Sequence, residues 1–418
     1  MASKFQKDSI DLWDKSASGA KDVGKSDPTI MKKDKRLAQK RIQINGVDRE
    51  YLVYIPSSYS TRASTPLVLN FHGFGSSAFG QLLLSDWRSL SDQHGFILVY
   101  PQGAELASGG SHWNPNPVSE GGKSSSDDLG FIEGLIDRLS KKYSIDLARI
   151  FATGFSNGAG MAYGLAHNSS ELIAAIAPVS GLMSAGDIEV DSEINPVAIA
   201  SFNGSEDLIR PIGGINGYLA SVHDSTKYWA KANKVAIKDR SKFNQEFDLT
   251  VKRRTFSNSD GVNAVQQYII RGGGHDWFNI NINNKGLDEI IWEFLSGFEK
   301  HDGDLVPADS ADIINLRSPQ KFKRKFADTI IDFNPSKDTL EINPGSFGIR
   351  GPAKFRAAKN MKRLRKLAKR EFDFLYDQNS GGLYFNENGS DKGFGDGGIV
   401  AILMGSPDLN ASNLNFNE

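Results

Sequence analysis

The chain has 418 residues, no cysteine, 49 Lys and Arg against 50 Asp and Glu, and a formal net charge of −1. That balance gives the whole chain no electrostatic bias toward nucleic acid or an anionic membrane, and the missing cysteine excludes disulfides, thiolate metal sites and a cysteine nucleophile. The length suggests two or three units, each able to bury a core, and no window reaches the roughly 18 apolar residues of a membrane span.

Residues 1–40 are rich in Lys, Asp and Ser, carry Asp27-Pro28 as a breaker, and are expected to be disordered. They hold no apolar run fit for a signal-peptide core, so no N-terminal signal peptide is expected. From Arg41 the texture changes. Ile42-Gln43-Ile44 and Tyr51 to Ile55 flank Asn45-Gly46, which predicts a hairpin. Solid apolar runs follow at Pro66–Phe71, Phe96–Tyr100, Ile173–Val179, Val197–Phe202 and Ala264–Ile270, as expected for strands covered on both faces. Between them, Asp128 to Tyr143 has apolar residues at helical spacing with Ser126 or Asp127 placed to cap it, and Leu287 to Phe298 reads as a last amphipathic helix carrying Trp292. Trp229 and Trp292, on expected helices, read as core. The alternation of strand and helix predicts a mostly parallel α/β sheet with its chemistry at the carboxyl ends of the strands.

One stretch carries chemistry directly. Gly154-Phe155-Ser156-Asn157-Gly158 sits where an apolar strand meets a helix and reads as a nucleophile elbow, a tight turn that lifts the Ser156 hydroxyl clear of the backbone. A serine needs a base, and the base needs a carboxylate to orient it. In folds built on this elbow the chain order is Ser, acid, His, which leaves His223, His275 and His301. His275 is preferred because Gly272-Gly273-Gly274 directly follows the last apolar strand. Asp207, in the turn after Val197–Phe202, is the preferred acid, with Glu206 its neighbouring alternative and Asp187, Asp191 and Asp224 ranked below. An oxyanion needs backbone N–H donors. Asn157 offers one; His72-Gly73-Phe74-Gly75 offers the other, from Phe74 first or Gly73 second. His72, Trp113 and Trp277 are substrate-contact candidates, with loop pinning preferred to catalysis for His72 and core packing as the other reading of the tryptophans. Asp127-Asp128 reads as capping and loop anchoring rather than a metal site.

These runs, with Tyr100-Pro101-Gln102-Gly103 and His112-Trp113-Asn114, resemble the polyhydroxybutyrate depolymerase and feruloyl esterase group of α/β-hydrolases over residues 41–300. The resemblance implies Ser156 as nucleophile, Asp207 as acid and His275 as base, a carboxylic ester as substrate, and no metal or organic cofactor for catalysis. Phe74 and His112 stand where many relatives carry cysteine.

Residues 301–312 read as a linker and 313–418 as a smaller β-rich domain. Asp328–Phe333 and Asp338–Ile342 predict short strands, and Ala353 to Arg370 predicts a strongly basic amphipathic helix. The segment from Phe374 to Leu403 resembles the C-terminal modules of RTX-type proteins, which implies export by type I machinery through an uncleaved C-terminal signal and a secreted location. The glycine-rich calcium repeats usual upstream are not here. Asp377, Asn379, Asn386, Asn388 and Asp391 are calcium-ligand candidates that turn formation explains equally well. The function expected is ester hydrolysis, on a polyhydroxyalkanoate or on feruloyl or acetyl groups of a polysaccharide; the alternative is a non-catalytic polymer-binding protein on a hydrolase scaffold.

Overall fold

The computed structural model describes residues 34–61, 64–118, 124–189, 194–245, 249–259, 262, 264–301, 304–308, 313–316, 318, 322–324, 327–330, 333, 335, 338–403 and 406–416. It divides into a first unit, residues 1–59 and 65–308, and a second, residues 60–64 and 309–418.

The first unit starts with strands β1 (Leu37–Ile44) and β2 (Val47–Tyr54), a hairpin whose turn residues Asn45 and Gly46 have φ of 51° and 80°. Positive φ at both central positions matches the strand twist, which is what Asn-Gly supplies. There follow β3 (Thr65–Phe71), α1 (Ala78–Leu84), α2 (Arg88–His94), β4 (Ile97–Pro101), the two-residue pair β5 (Ala104–Glu105) and β6 (Ser111–His112), and α3 (Asp128–Ser140). Then come β7 (Ile145–Phe155), α4 (Asn157–Asn168), β8 (Ala175–Val179), α5 (Ala185–Glu189), β9 (Ala198–Gly204), α6 (Val222–Ala232), β10 (Ile237–Asn244), β11 (Thr250–Ser257) and β12 (Val265–Arg271). A small pair, β13 (Asn281–Ile282) and β14 (Lys285–Gly286), leads into α7 (Leu287–Leu295) and the hairpin β15 (Phe298–His301) and β16 (Asp304–Pro307).

Ten strands form one sheet in the order β1-β2-β4-β3-β7-β8-β9-β12-β11-β10. The six from β4 to β12 run parallel, and antiparallel pairs close both edges. From β3 the chain steps outward to β4 and later the opposite way through β7, β8 and β9. Right-handed crossovers in opposite directions put their helices on opposite faces. Consistently, Trp292 of α7 stacks on Phe96 at 4.3 Å and meets His94 of α2 at 5.4 Å, so α2 and α7 share a face. Trp229 and Trp292 are buried, as their helical setting predicts. This is the α/β-hydrolase fold, with the switch of winding direction beside β7, whose carboxyl end carries Ser156.

Two elements differ from the sequence expectation. β10 and β11 form a pair where no strand is predicted, because Lys238, Arg240, Lys242, Lys252 and Arg254 fill their outward positions and mask the alternation. Charged side chains on the edge strand β10 also discourage pairing with other chains. The β15–β16 hairpin occupies the start of the stretch read as a linker, so the first unit runs to residue 308, and its first strand begins at Leu37 rather than Arg41. Residues 1–33 lie outside the described residues.

The second unit contains β17 (Ile313–Leu316), β18 (Asp328–Ile330), β19 (Thr339–Ile342), β20 (Phe355–Ala358), α8 (Met361–Leu367), β21 (Phe374–Asp377), β22 (Gly382–Phe385), β23 (Gly398–Leu403) and β24 (Leu414–Phe416). A sheet β17-β19-β24 and a sheet β18-β23-β22-β21-β20 enclose a core around Phe374, Tyr376, Leu383, Phe385 and Val400. The long helix expected over Ala353–Arg370 is instead a strand and a short helix. Asn360 is extended at φ −166° and accepts a hydrogen bond from the Arg363 amide at 3.0 Å, so the helix starts only after it.

Candidate active site

The turn between β7 and α4 holds Ser156 at φ 55° and ψ −111°, a sparsely populated backbone state for a side-chain-bearing residue. Its amide donates to the Val179 carbonyl at 3.0 Å, tying the turn to β8. Gly158 is glycine because of space. A Cβ there would lie 2.3 Å from the Phe71 carbonyl oxygen and 2.5 Å from that of His72. Gly158→Ala is therefore expected to destabilise the first unit by about 3 kcal/mol or more, since both obstacles are backbone. Urea unfolding reads this; an unchanged midpoint would show that the β3 end moves freely.

Asp207 follows β9 and His275 follows β12, and these strands are parallel neighbours, so their carboxyl ends deliver both loops side by side. A Cβ on Gly204 would meet the Gly274 carbonyl oxygen at 2.2 Å, which shows how closely the histidine loop crosses the end of the acid strand. His275 Nδ1 lies 2.7 Å from Asp207 Oδ2, and His275 Nε2 lies 2.9 Å from Ser156 Oγ. The other carboxylate oxygen of Asp207 accepts from the amides of Ile209 at 2.8 Å and Arg210 at 2.7 Å. Burial pushes the Asp207 carboxyl up, but the bonds from His275 and these amides outweigh it and hold it below the ordinary carboxylate range. The Phe155 ring stands 4.9 Å from the imidazole, and the Ser180 hydroxyl donates to the Asp276 carbonyl at 2.7 Å, fixing the histidine loop from below.

The alternatives fall elsewhere. Glu206 is exposed, with its amide on the Gly273 carbonyl at 2.9 Å. His223 is exposed on α6, His301 stands 3.6 Å from Glu299, and Asp224 is bound to Ser221 at the start of α6. Asp187 is buried in α5, and Asp191 lies outside the described residues.

Asn157 is the first residue of α4, so its N–H is one of the four that a helix cannot satisfy internally. Gly73 is the residue whose Cβ would stand 3.6 Å from Ser156 Cβ, which sets the Gly73-Phe74 backbone beside the hydroxyl. The Gly75 amide donates to the Ser111 carbonyl at 2.8 Å and shapes that loop.

Two substrate-contact candidates are corrected. His72 is fully buried: Nδ1 donates to the Gly73 carbonyl at 2.8 Å and Nε2 accepts from the Gly103 amide at 2.9 Å, so it pins the loop and faces no substrate. Trp113 is 1% exposed; its indole N–H donates to the His72 carbonyl at 3.0 Å and its ring packs edge-on to Phe71. Both sit beneath the loop rather than over it: His72 directly follows the covered strand β3, and Trp113 is held under the loop by its bond to the His72 carbonyl and its packing on Phe71. Trp277 is half-buried, with its indole N–H on Asp288 at 2.9 Å.

Burial drives the His72 imidazole down to about 4, against a smaller opposing effect of its bond to Gly73. The folded state therefore resists a proton that the unfolded chain accepts below about 6.5. Stability from this group is intact above that pH and falls as pH drops toward 4, by about 2 kcal/mol at pH 5. Urea unfolding at pH 7.5 and 5 should show this drop in the parent and a smaller one in His72→Asn; equal drops would refute it.

The loop anchoring expected of Asp127-Asp128 is present at Asp128, but the sequence reading missed its partner Arg49. Buried Arg49 of β2 meets Asp128 at 2.6 Å, and Asp128 also accepts from the Asn114 amide at 2.7 Å and the Ser126 hydroxyl at 2.9 Å. The next residue back, Trp113, gives its amide to Asn157 Oδ1 at 2.7 Å, and its carbonyl accepts from Asn157 Nδ2 at 3.1 Å. A long-range ion pair thus leads to the residue after the nucleophile. Asp127 caps α3 through the Gly130 amide at 2.9 Å, as expected. The signal available in sequence was an aspartate pair ahead of a helix, which needs one cap only.

Residues 49–207 match the family model described as esterase PHB depolymerase. The chain is 26% identical over 251 residues to the bifunctional acetylxylan esterase/xylanase XynS20E of Neocallimastix patriciarum, covering 60% of this chain and 33% of that protein. It is 25% identical over 259 residues to the probable feruloyl esterase C of Aspergillus terreus, covering 61% of this chain and 85% of that protein. The residues matched by the family model lie in the first unit, apart from residues 60–64. Among solved structures, the acetyl xylan esterase from Aspergillus awamori is similar at a TM-score of 0.45 and 18% identity, over 62% of this chain and 99% of that one. The chain thus spans a third of the length of the Neocallimastix relative and most of the Aspergillus one. The family match includes Ser156 and Asp207 and ends before His275; the three residues stand at the ends of three parallel strands.

In the second unit two of the calcium candidates bond locally, while Oδ1 of Asn386 and of Asn388 is buried without a hydrogen-bond partner. Asp377 accepts from the Asn379 amide at 3.2 Å and the Ser380 hydroxyl at 2.7 Å, and Asn386 donates to the carbonyls of Phe372 and Gly389. Asn388 is half-buried and Asp391 exposed. No group of three or more His, Cys, Asp or Glu placed to hold a metal occurs among the described residues.

Proposed function

We propose that the protein hydrolyses carboxylic esters through Ser156, His275 and Asp207 by way of an acyl-enzyme, and that its substrates are acyl groups on polysaccharide, feruloyl or acetyl, with a polyhydroxyalkanoate as the neighbouring possibility. The observation that carries this is the continuous relay from Asp207 Oδ2 to His275 to Ser156 Oγ, at 2.7 and 2.9 Å. His275 carries its proton on Nδ1, given to the carboxylate, so Nε2 is free to accept the serine proton as Oγ attacks the ester carbonyl. The tetrahedral oxyanion lies under the Asn157 amide and the Phe74 or Gly73 amide. His275 then returns the proton to the leaving alcohol oxygen, and water, deprotonated by the same Nε2, releases the acid and restores Ser156. The step as drawn needs these residues and water alone.

The match to the esterase PHB depolymerase model and the two esterase relatives support the reaction class. A panel of methyl ferulate, acetylated xylan and polyhydroxybutyrate tests the substrate: turnover of either of the first two supports the polysaccharide reading, and turnover of the polyester alone overturns it. Binding without turnover on all three would instead favour a polymer-binding protein on a hydrolase scaffold.

Export through the C-terminal segment by type I machinery is a separate proposal, supported by the resemblance of residues 374–403. A truncation after about residue 308, the limit of the first unit, tests it. Truncated protein in the medium at the parental level would defeat it.

A further inference from the structure

Charge in the second unit is segregated along the chain. Residues 350–370 hold ten Lys and Arg and no Asp or Glu, whereas residues 371–418 hold eight Asp and Glu and one Lys. All ten cations are exposed. They follow one another along the chain: Arg356 lies on β20, the edge strand of the five-stranded sheet, and Lys362, Arg363, Arg365, Lys366 and Lys369 lie on or just after α8, while Lys354 pairs with Glu371 at 3.4 Å. Packing does not explain them. The apolar side of α8 is already used, with Leu364 and Ala368 buried against Ala358 and Leu375. Guarding an edge strand takes one or two lysines. Apart from Lys354, none of these cations forms an ion pair among the described residues, and self-repulsion makes such a block unfavourable unless an external anion answers it, since surfaces that serve solubility alone intersperse both signs.

We propose that this face binds an acidic polysaccharide, one bearing uronate or sulfate groups, and so holds the enzyme on an acylated polymer. The inference rests on the polysaccharide reading of the esterase domain. A membrane is disfavoured because a surface helix needs an exposed apolar face to enter the interface, and among the described residues of the second unit no large hydrophobic side chain is exposed. Single-stranded nucleic acid would call for exposed aromatic platforms, and none is exposed on this face. A flexible polyanion needs only spaced cations, which Arg and Lys side chains supply.

The test uses the full chain. Electrophoretic retardation in gels containing polygalacturonate, dextran sulfate or neutral xylan is compared for the parent, for Lys362→Gln/Arg365→Gln/Lys366→Gln/Lys369→Gln, and for a control altered at Lys238 and Lys242 of the first unit. Retardation of the parent by an acidic polysaccharide and not by xylan is expected. It should weaken about ten-fold in the quadruple variant, stay unchanged in the control, and fade between about 0.05 and 0.3 M salt. Hydrolysis of a short soluble ester should be the same in all three proteins. No retardation by either polyanion, or equal retardation of parent and quadruple variant, overturns the proposal. So does tighter binding to duplex DNA or to phosphatidylserine vesicles than to either polysaccharide. Retardation as expected in a parent without esterase activity would refute the esterase reading and leave the surface standing.

Discussion

Ser156→Ala is expected to lower kcat/KM for a short acyl ester by about 10⁴- to 10⁶-fold, with KM and thermal stability near those of the parent. The hydroxyl is the only atom lost, and it is the atom on which the relay ends. Ser156 is 6% exposed, and the alanine side chain fits the space that the serine side chain fills, so no cavity and no clash results. What strains this turn is its backbone, at φ 55°, and that remains. A fluorophosphonate should label the parent at one site and leave the variant unlabelled. Residual activity above about one hundredth of the parent would remove Ser156 from the mechanism.

Asp207→Asn should rank second, with kcat down about 10⁴-fold. Both oxygens of this carboxylate are engaged, Oδ1 by the Ile209 and Arg210 amides and Oδ2 by His275. In the variant the amide oxygen can keep the two backbone bonds. Its NH₂ group then faces the imidazole and selects the tautomer with the proton on Nε2, which cannot accept from Ser156. Glu206→Gln is the matched control: that side chain is exposed, and activity should hold within about two-fold. A loss below ten-fold in Asp207→Asn would mean that His275 is oriented by other contacts. The lowered pKa of Asp207 also has a stability consequence. The folded state holds its proton less tightly than the unfolded one, so the contribution is present above about pH 4 and is lost as pH falls through the lowered folded value. Below pH 4 the Asn variant should therefore close part of any gap in stability to the parent.

Much of the fold was legible from local pattern. Parallel strands buried on both faces write themselves as apolar runs, and Asn45-Gly46 announces a hairpin through the positive φ it tolerates. β10 and β11 were not legible, since an edge pair rich in Lys and Arg has only one face to bury and its pattern drowns in charge. The basic segment after Ala353 has apolar residues at helical spacing, yet Asn360 divides it, because a side chain that caps one helix ends whatever precedes it.

The candidate site divides along the same line. By itself the sequence determined which residues to consider: a serine between glycines at a strand end, a histidine after the last apolar strand, and an aspartate between them in chain order. Those signals are local, set by turn geometry and by strand ends. Only the tertiary structure decided which of Asp207 and Glu206 reaches the imidazole, since adjacent residues in a turn point to opposite sides. Only it decided that His72 and Trp113 lie below the oxyanion loop, their hydrogen bonds spent on the carbonyls and amides of that loop, and that Arg49 and Asp128 anchor the segment holding Asn157. Those pairings join residues tens of positions apart, and no local preference encodes a partner that the sheet order alone brings within 3 Å.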